Sequence, residues 1–90
     1  MGIRRIRRAA REDRYEFTLH ALDEMDEVSL TDADVRQVLL HGNLVGKLTD
    51  DPRGIRFVLL GSPRGKDIEV VCRFLPSGLL RIVTVYVPEA

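Results

Sequence analysis

The sequence predicts one α+β domain in which two N-terminal helices pack on one face of an antiparallel sheet of about four strands. Two observations support this fold class. Apolar residues recur at helical spacing in the first half of the chain and at strand spacing in the second half. The segments of the second half are joined by turns of a few residues, which are typical of consecutive antiparallel strands. The length of 90 residues fits a single domain.

Residues 1–14 are predicted to form a basic N-terminal arm, which precedes a single domain over residues 15–90. The arm contains six arginines, two acidic residues and little apolar periodicity, which is typical of a loose arm or a frayed helix. Residues 23–34 contain six acidic residues and no basic one, so the chain has opposed charged patches although its formal net charge is zero. The arm is interpreted as a disordered tail, as a region attracted to nucleic acid, or as a region that docks on an acidic partner.

The domain begins with Tyr15–Thr18, a short strand or an extended lead-in, and continues with two helices. The first helix is predicted over residues 19–27 because four apolar residues recur on one helix face: Ala21, Leu22, Met25 and Val28. The second helix has stronger local signals, since Thr31 and Asp34 form a variant of the capping box. Gly42 is predicted to end this helix as a C′ glycine.

Four strands are predicted after the helices: Leu44–Leu48, Ile55–Gly61, Asp67–Leu75 and Leu79–Val87. Alternation along the last two strands assigns their side chains to two faces. Pairing of Leu75 with Leu79 would direct one set toward the helices: Ile68, Val70, Cys72, Phe74, Leu80, Ile82, Thr84 and Tyr86. The exposed face would then carry three arginines among valines: Arg56, Arg73 and Arg81 with Val71, Val83 and Val85. A slip of one residue would reverse this assignment.

The composition excludes several kinds of site. The longest apolar run, residues 79–87, is interrupted by Arg81 and Thr84 and is shorter than the about 18 residues of a membrane span. The single cysteine, Cys72, lies in an apolar segment and allows no intramolecular disulfide or cysteine-based zinc site. His20 and His41 form no recognisable metal signature with the scattered carboxylates. We therefore expect a cytoplasmic protein without a metal or another cofactor.

Three groups of residues are candidates for chemistry. His20 lies one helical turn before Glu24, and such a pair suits acid–base chemistry near neutral pH or is simply an exposed structural pair. The arginines of the exposed face offer bidentate contacts to phosphates, and Lys47 would extend the contact along an RNA or DNA backbone. A solvated face on which Glu69 offsets part of the charge is the alternative. Tyr86 is interpreted as a core aromatic, or as a residue that stacks on a base or donates a proton.

Two stretches of the chain resemble the bacterial domain of unknown function 4258 family. The first stretch contains Thr18-Leu19-His20-Ala21, Met25, the capped second helix with Val35, and Gly42. The second contains Ile68-Glu69-Val70-Val71-Cys72-Arg73-Phe74 and Ile82-Val83-Thr84-Val85-Tyr86. The resemblance extends from about Tyr15 to Pro88.

That family is similar to the small toxins of type II toxin–antitoxin systems, in the group of RelE, MqsR and BrnT. The resemblance implies a RelE-like architecture and an mRNA-cleaving or translation-blocking toxin, held inactive by a cognate antitoxin. It implies functional positions at His20, Arg73, Thr84 and Tyr86. Toxins of the RelE type are usually strongly basic, whereas this chain is neutral and its first helix is acidic.

The residues and the resemblance together leave more than one functional hypothesis. The first is a metal-independent endoribonuclease toxin, in which Arg73 or Arg81 stabilises the transition-state charge and His20 or Tyr86 transfers protons. The predicted register conflicts with it, because Tyr86 is placed on the face opposite Arg73. The second hypothesis is a non-catalytic module that docks a partner protein or a second copy through the valines of the exposed face. Nucleic-acid binding without cleavage, driven by the basic arm, is a third.

Overall fold

Residues 2–88, which the computed structural model describes, form three helices and five strands of an α+β fold. In chain order the elements are α1 (Gly2–Arg11), β1 (Tyr15–Phe17), α2 (Leu19–Glu27), α3 (Asp32–His41), β2 (Asn43–Leu48), β3 (Arg56–Gly61), β4 (Ile68–Phe74) and β5 (Leu80–Tyr86). A single 3-10 turn, Pro63–Gly65, joins β3 to β4. The predicted fold class is therefore confirmed. The prediction of two helices and four strands was wrong by one element of each kind.

The sheet is mixed and not purely antiparallel, which corrects the prediction. Its strand order is β1-β5-β4-β3-β2. The four later strands form the predicted antiparallel meander, but β1 pairs parallel to β5, with Tyr15 opposite Leu80 and Phe17 opposite Ile82. A strand of three residues has too few positions to show alternation, so its pairing is decided by the elements around it.

The predicted basic arm is helix α1, and it belongs to the core. Ile6 and Ala10 are completely buried, and Ala9 is nearly so. The Arg36 guanidinium donates to the Ala10 carbonyl at 3.1 Å, and the Arg7 guanidinium donates to the Gly42 carbonyl at 3.1 Å. These bonds satisfy carbonyl groups at the ends of α1 and α3 that have no partner within their helices. The arm interpretation was wrong because the buried stripe contains alanine, which adds little to an apolar pattern.

Both predicted helices are present, and both are capped at their N-termini. The Thr18 hydroxyl accepts from the Ala21 amide at 3.0 Å, and the capping box of Thr31 and Asp34 is complete. Gly42 ends α3 with φ of −72°, so it is not a left-handed C′ glycine as predicted. A Cβ at Gly42 would instead lie 2.6 Å from one backbone oxygen and 2.8 Å from another. The glycine is required by close packing.

One hydrophobic core lies between the helices and the sheet. Its fully buried large side chains come from α1, α3, β3, β4 and β5: Ile6, Val35, Val38, Leu39, Leu59, Ile68, Val70, Cys72, Leu80, Ile82 and Val85. Helix α2 contributes Ala21 and Met25 to this core. Leu22, predicted in the same stripe, is 43% exposed. Among the helices of residues 2–88, none has the length and apolarity that a membrane span requires.

A β-bulge in β5 changes the predicted faces of the sheet. The Leu75 amide donates to the Leu79 carbonyl at 2.8 Å, so the predicted pairing of the last hairpin is correct. Cys72 then lies opposite Ile82, but the preceding residue of β4, Val71, lies opposite Thr84, so Val83 has no partner in β4. The extra residue reverses the alternation beyond it. Val85 is therefore buried in the core, whereas Thr84 and Tyr86, predicted to face the helices, lie on the exposed face.

Candidate functional site

Three arginines form a row across the face of the sheet that no helix of residues 2–88 covers. Arg73 lies directly opposite Arg81 on neighbouring strands. Phe57 lies opposite Cys72, and continuing this register places Arg56 beside Arg73. We call Arg56, Arg73 and Arg81 the arginine row. Like charges that face each other across strands repel, so an anion bound between them would relieve an unfavourable interaction.

Acidic residues neutralise the two ends of the arginine row. Arg81 forms an ion pair of 2.6 Å with Glu16 of β1. Arg56 lies 3.1 Å from Asp50 and 3.7 Å from Asp51, both in the turn before β3. Arg73, at the centre, has no salt bridge with any residue of the described range 2–88. It is therefore the member of the row best placed to bind an external anion.

Tyr86 lies on the same face as the arginine row but at the other end of the sheet. The bulge places it opposite Glu69, to which its hydroxyl donates a hydrogen bond. This bond, and to a smaller extent burial, raises the pKa of Tyr86, so its hydroxyl keeps its proton at neutral pH. Glu69 precedes Arg73 by four positions in β4, a distance of roughly 13 Å along the strand. Tyr86 and Arg73 thus share a face without touching the same atom of a ligand.

His20 is held by Glu24 beside the part of β5 that lies beyond its pairing with β1. One Glu24 oxygen lies 3.3 Å from His20 Nε2, and the other accepts from the Val85 amide at 2.9 Å. The Thr18 hydroxyl donates to the Val83 carbonyl at 3.1 Å. These two contacts between α2 and β5 bracket Thr84, so His20 lies at the level of Thr84. The predicted histidine–carboxylate pair therefore exists, and the His20 side chain is 68% exposed.

Lys47 does not lie on the exposed face with the arginine row. It is opposite Phe57 in the sheet, and its ammonium nitrogen is 5.9 Å from the centre of the Phe57 ring. Since Phe57 faces the helices, Lys47 lies on the helix side of the sheet near its edge. Lys47 and Arg56 could therefore contact the same ligand, as predicted, only if that ligand passed around the edge strand β2.

The sequence interpretation missed the acids that regulate the charge of the row. Glu16 faces Arg81 only because β1 joins the sheet in parallel, and no local pattern predicts that pairing. Asp51 precedes Arg56 by five residues and was assigned only to a turn. Asp51 also binds Arg53, and this bond is the main reason that its pKa is lowered. A charged turn directly before an arginine-bearing strand was the available signal.

Two further observations limit the chemistry of the described residues. Cys72 is fully buried, and burial raises the pKa of its thiol to about 12, which makes it unreactive as a nucleophile. Residues 2–88 contain no group of three or more histidine, cysteine or carboxylate side chains that could hold a metal ion.

Comparison with known proteins identifies one family. The family model "Domain of unknown function (DUF4258)" matches residues 17–87. The match includes α2, α3 and the meander, but it excludes α1 and the first two residues of β1. No curated protein and no solved structure matches the chain.

Proposed function

This chain belongs to the DUF4258 family, and from that premise we propose that it is an RNA-binding toxin of a two-protein toxin–antitoxin system. The similarity of the family to RelE, MqsR and BrnT toxins extends the proposal to a RelE-like architecture and to metal-independent RNA cleavage. A cognate antitoxin would be its protein partner and RNA its substrate.

The arginine row is the observation that supports this proposal. Three guanidinium groups lie on neighbouring strands, and the central one, Arg73, lacks an acidic partner within residues 2–88. Guanidinium groups bind phosphate oxygens in a bidentate manner, so the row suits a chain of phosphates. Thr84 and Tyr86 lie farther along the same face, two positions apart in β5. Tyr86 would stack on a base of the bound RNA.

The proposed reaction needs no metal or cofactor. The ribose 2′-oxygen attacks the adjacent phosphorus, and the bond from phosphorus to the 5′-oxygen breaks. The products are a 2′,3′-cyclic phosphate and a 5′-hydroxyl end. Arg73 would stabilise the negative charge on the phosphorane oxygens, and His20, oriented by Glu24, would accept the 2′-hydroxyl proton. Water would supply the proton that the 5′-oxygen takes up.

Induced expression in a bacterial host tests the toxin. Wild type is expected to arrest growth, and both Arg73→Ala and His20→Ala are expected to relieve the arrest at equal soluble protein levels. Lys66→Ala is the matched control, because it removes an exposed positive charge just before β4, at the other end of the sheet. Normal growth at high soluble expression of wild type would contradict the toxin proposal in that host.

Cleavage is tested separately from growth. Purified protein is incubated with single-stranded RNA in the presence of a chelator, and the ends of the products are identified by mass spectrometry. A 2′,3′-cyclic phosphate that is lost in His20→Ala supports the proposed reaction. RNA binding without any product would reduce the proposal to a translation-blocking toxin.

A second candidate function is a protein-interaction module, and a specific observation favours it. Val58 is paired with the buried Val71 on the exposed face, and Val58 and Leu60 are half-buried there, so they present apolar surface on this part of the face. An apolar patch of this kind suits a partner protein or a second copy. Sedimentation of wild type as a dimer, with a monomeric Val58→Asp and no growth arrest, would favour the module. Val45→Asp is the control, because Val45 is already 53% exposed.

A further inference from the structure

A second basic site lies on the helix side of the sheet. A groove of about 250 Å³ separates α1 from the turn between β4 and β5. It is lined by three arginines, one acid, one aromatic ring and two small residues: Arg5, Arg8, Arg14, Glu12, Phe74, Ala9 and Gly78. Because Gly78 has no side chain, its main chain forms one wall of the groove.

Contacts with the rest of the fold hold the arginines at this groove. The Arg5 guanidinium carbon lies 4.0 Å from the centre of the Phe74 ring, a cation–π contact that holds the guanidinium group against the ring. The backbone of Arg14 is fixed at both ends, since its amide donates to the Ala9 carbonyl and its carbonyl accepts from the Leu80 amide. A preorganised arginine loses less conformational entropy when a ligand binds.

The charge of the groove is not compensated as that of the arginine row is. Glu12 is the one acid among the lining residues, and it pairs with Arg8 at 3.2 Å. Arg5 and Arg14 have no acidic partner among residues 2–88. Three guanidinium groups and one carboxylate leave an excess of two positive charges, which matches a phosphate group with two negative charges.

We propose that the groove between α1 and the β4–β5 turn binds a phosphate group of a phosphorylated ligand through Arg5, Arg8 and Arg14. The site is separate from the arginine row, because the consecutive residues Arg73 and Phe74 point to opposite faces of the sheet. It is formed in part by α1, which lies outside the span matched by the family. The proposal is therefore independent of the proposed toxin activity. The phosphate belongs either to a small metabolite or to a nucleic-acid chain.

Binding is tested on the full chain with inorganic pyrophosphate and, separately, with a single-stranded oligonucleotide at constant ionic strength. Amide chemical shifts are followed by NMR, and pyrophosphate is expected to perturb Arg14 and Gly78. Arg14→Gln is expected to weaken binding about tenfold, the effect of losing one charge-assisted hydrogen bond. Arg8→Gln is a second variant, and it should fold as wild type does because the Arg8 side chain is 72% exposed. Lys66→Gln is the control, and it should bind pyrophosphate as wild type does.

The two ligands distinguish the source of the phosphate. Pyrophosphate binding that the oligonucleotide does not displace assigns the groove to a small phosphorylated ligand. Displacement of pyrophosphate by the oligonucleotide assigns the groove to nucleic acid. In that case the slope of log K against log salt concentration for oligonucleotide binding should be smaller by about 0.7 in Arg14→Gln than in wild type. Absence of shifts at Arg14 and Gly78 with both ligands would overturn the proposal. So would equal binding by wild type and by folded Arg14→Gln and Arg8→Gln. Neither result depends on whether Arg73→Ala relieves growth arrest.

Discussion

Replacement of Ile6 by alanine tests whether α1 is part of the core or a detached arm. Ile6 is completely buried in the cluster that also contains Ala10 and Phe57. Removal of a fully buried isoleucine side chain typically costs 2–5 kcal/mol, and we expect about 3 kcal/mol here because α1 covers one end of the core and can partly close the cavity. A domain of this length has a free energy of unfolding of roughly 5–13 kcal/mol. The variant would therefore lose a large part of its stability.

The loss is measured by urea denaturation at equilibrium and by thermal unfolding. For a domain of this size, about 3 kcal/mol corresponds to a decrease of about 12–24 °C in Tm. Leu19→Ala is the control, because it removes the same number of carbon atoms from a side chain that is 81% exposed. If Ile6→Ala and Leu19→Ala changed the free energy of unfolding equally, the packing of α1 described above would be refuted and the arm interpretation restored.

Three other predictions concern the pH dependence, the backbone and the thiol. The Thr31 amide and the Arg64 guanidinium lower the pKa of buried Asp34, so its contribution to stability is complete above the ordinary carboxyl pKa and is lost as the pH falls through the lowered value. Urea unfolding from pH 6 to pH 2 should show this loss, and a flatter profile for Asp34→Asn. Gly42→Ala should destabilise the fold by about 1–3 kcal/mol through overpacking. Gly46→Ala should not, because its added Cβ would meet nothing closer than 3.8 Å. Equal urea midpoints for the two variants would contradict this prediction. Cys72 should react with iodoacetamide at pH 8 only after unfolding, and equal rates in native buffer and in urea by mass spectrometry would contradict its burial.

The features that could be predicted from the sequence are those decided by neighbouring residues. The capping box of Thr31 and Asp34 needs only a four-residue segment, and it was predicted with its partners. The strands of the meander were predicted within one residue at every end, because short turns force consecutive strands to pair. The packing of α1 in the core and the pairing of β1 were not predicted, because α1 is stabilised by distant carbonyl contacts with α3 and β1 by parallel pairing with β5.

The candidate site was predictable in its residues but not in its geometry. Alternation along β4 and β5 was sufficient to place Arg73 and Arg81 on one face. The face on which Thr84 and Tyr86 lie depends on a single bulged residue, and no residue type in Ile82–Tyr86 predicts that bulge. That bulge removes the earlier conflict with the ribonuclease hypothesis, because it brings Tyr86 to the face of Arg73. The two are still four residues apart along the strand, so sharing a face does not make them partners in one proton transfer.

The availability of each arginine for an external anion is decided by the tertiary contacts and not by the number of arginines. Arg81 would have to exchange its 2.6 Å contact with Glu16 for a phosphate, and Arg56 its contacts with Asp50 and Asp51. Such an exchange replaces one charge-assisted bond by another, so the net gain is small. Arg73 has no comparable contact within residues 2–88 to exchange, and the same holds for Arg5 and Arg14. A chain with zero formal net charge can thus present two separate sites with excess positive charge, one on each side of β4.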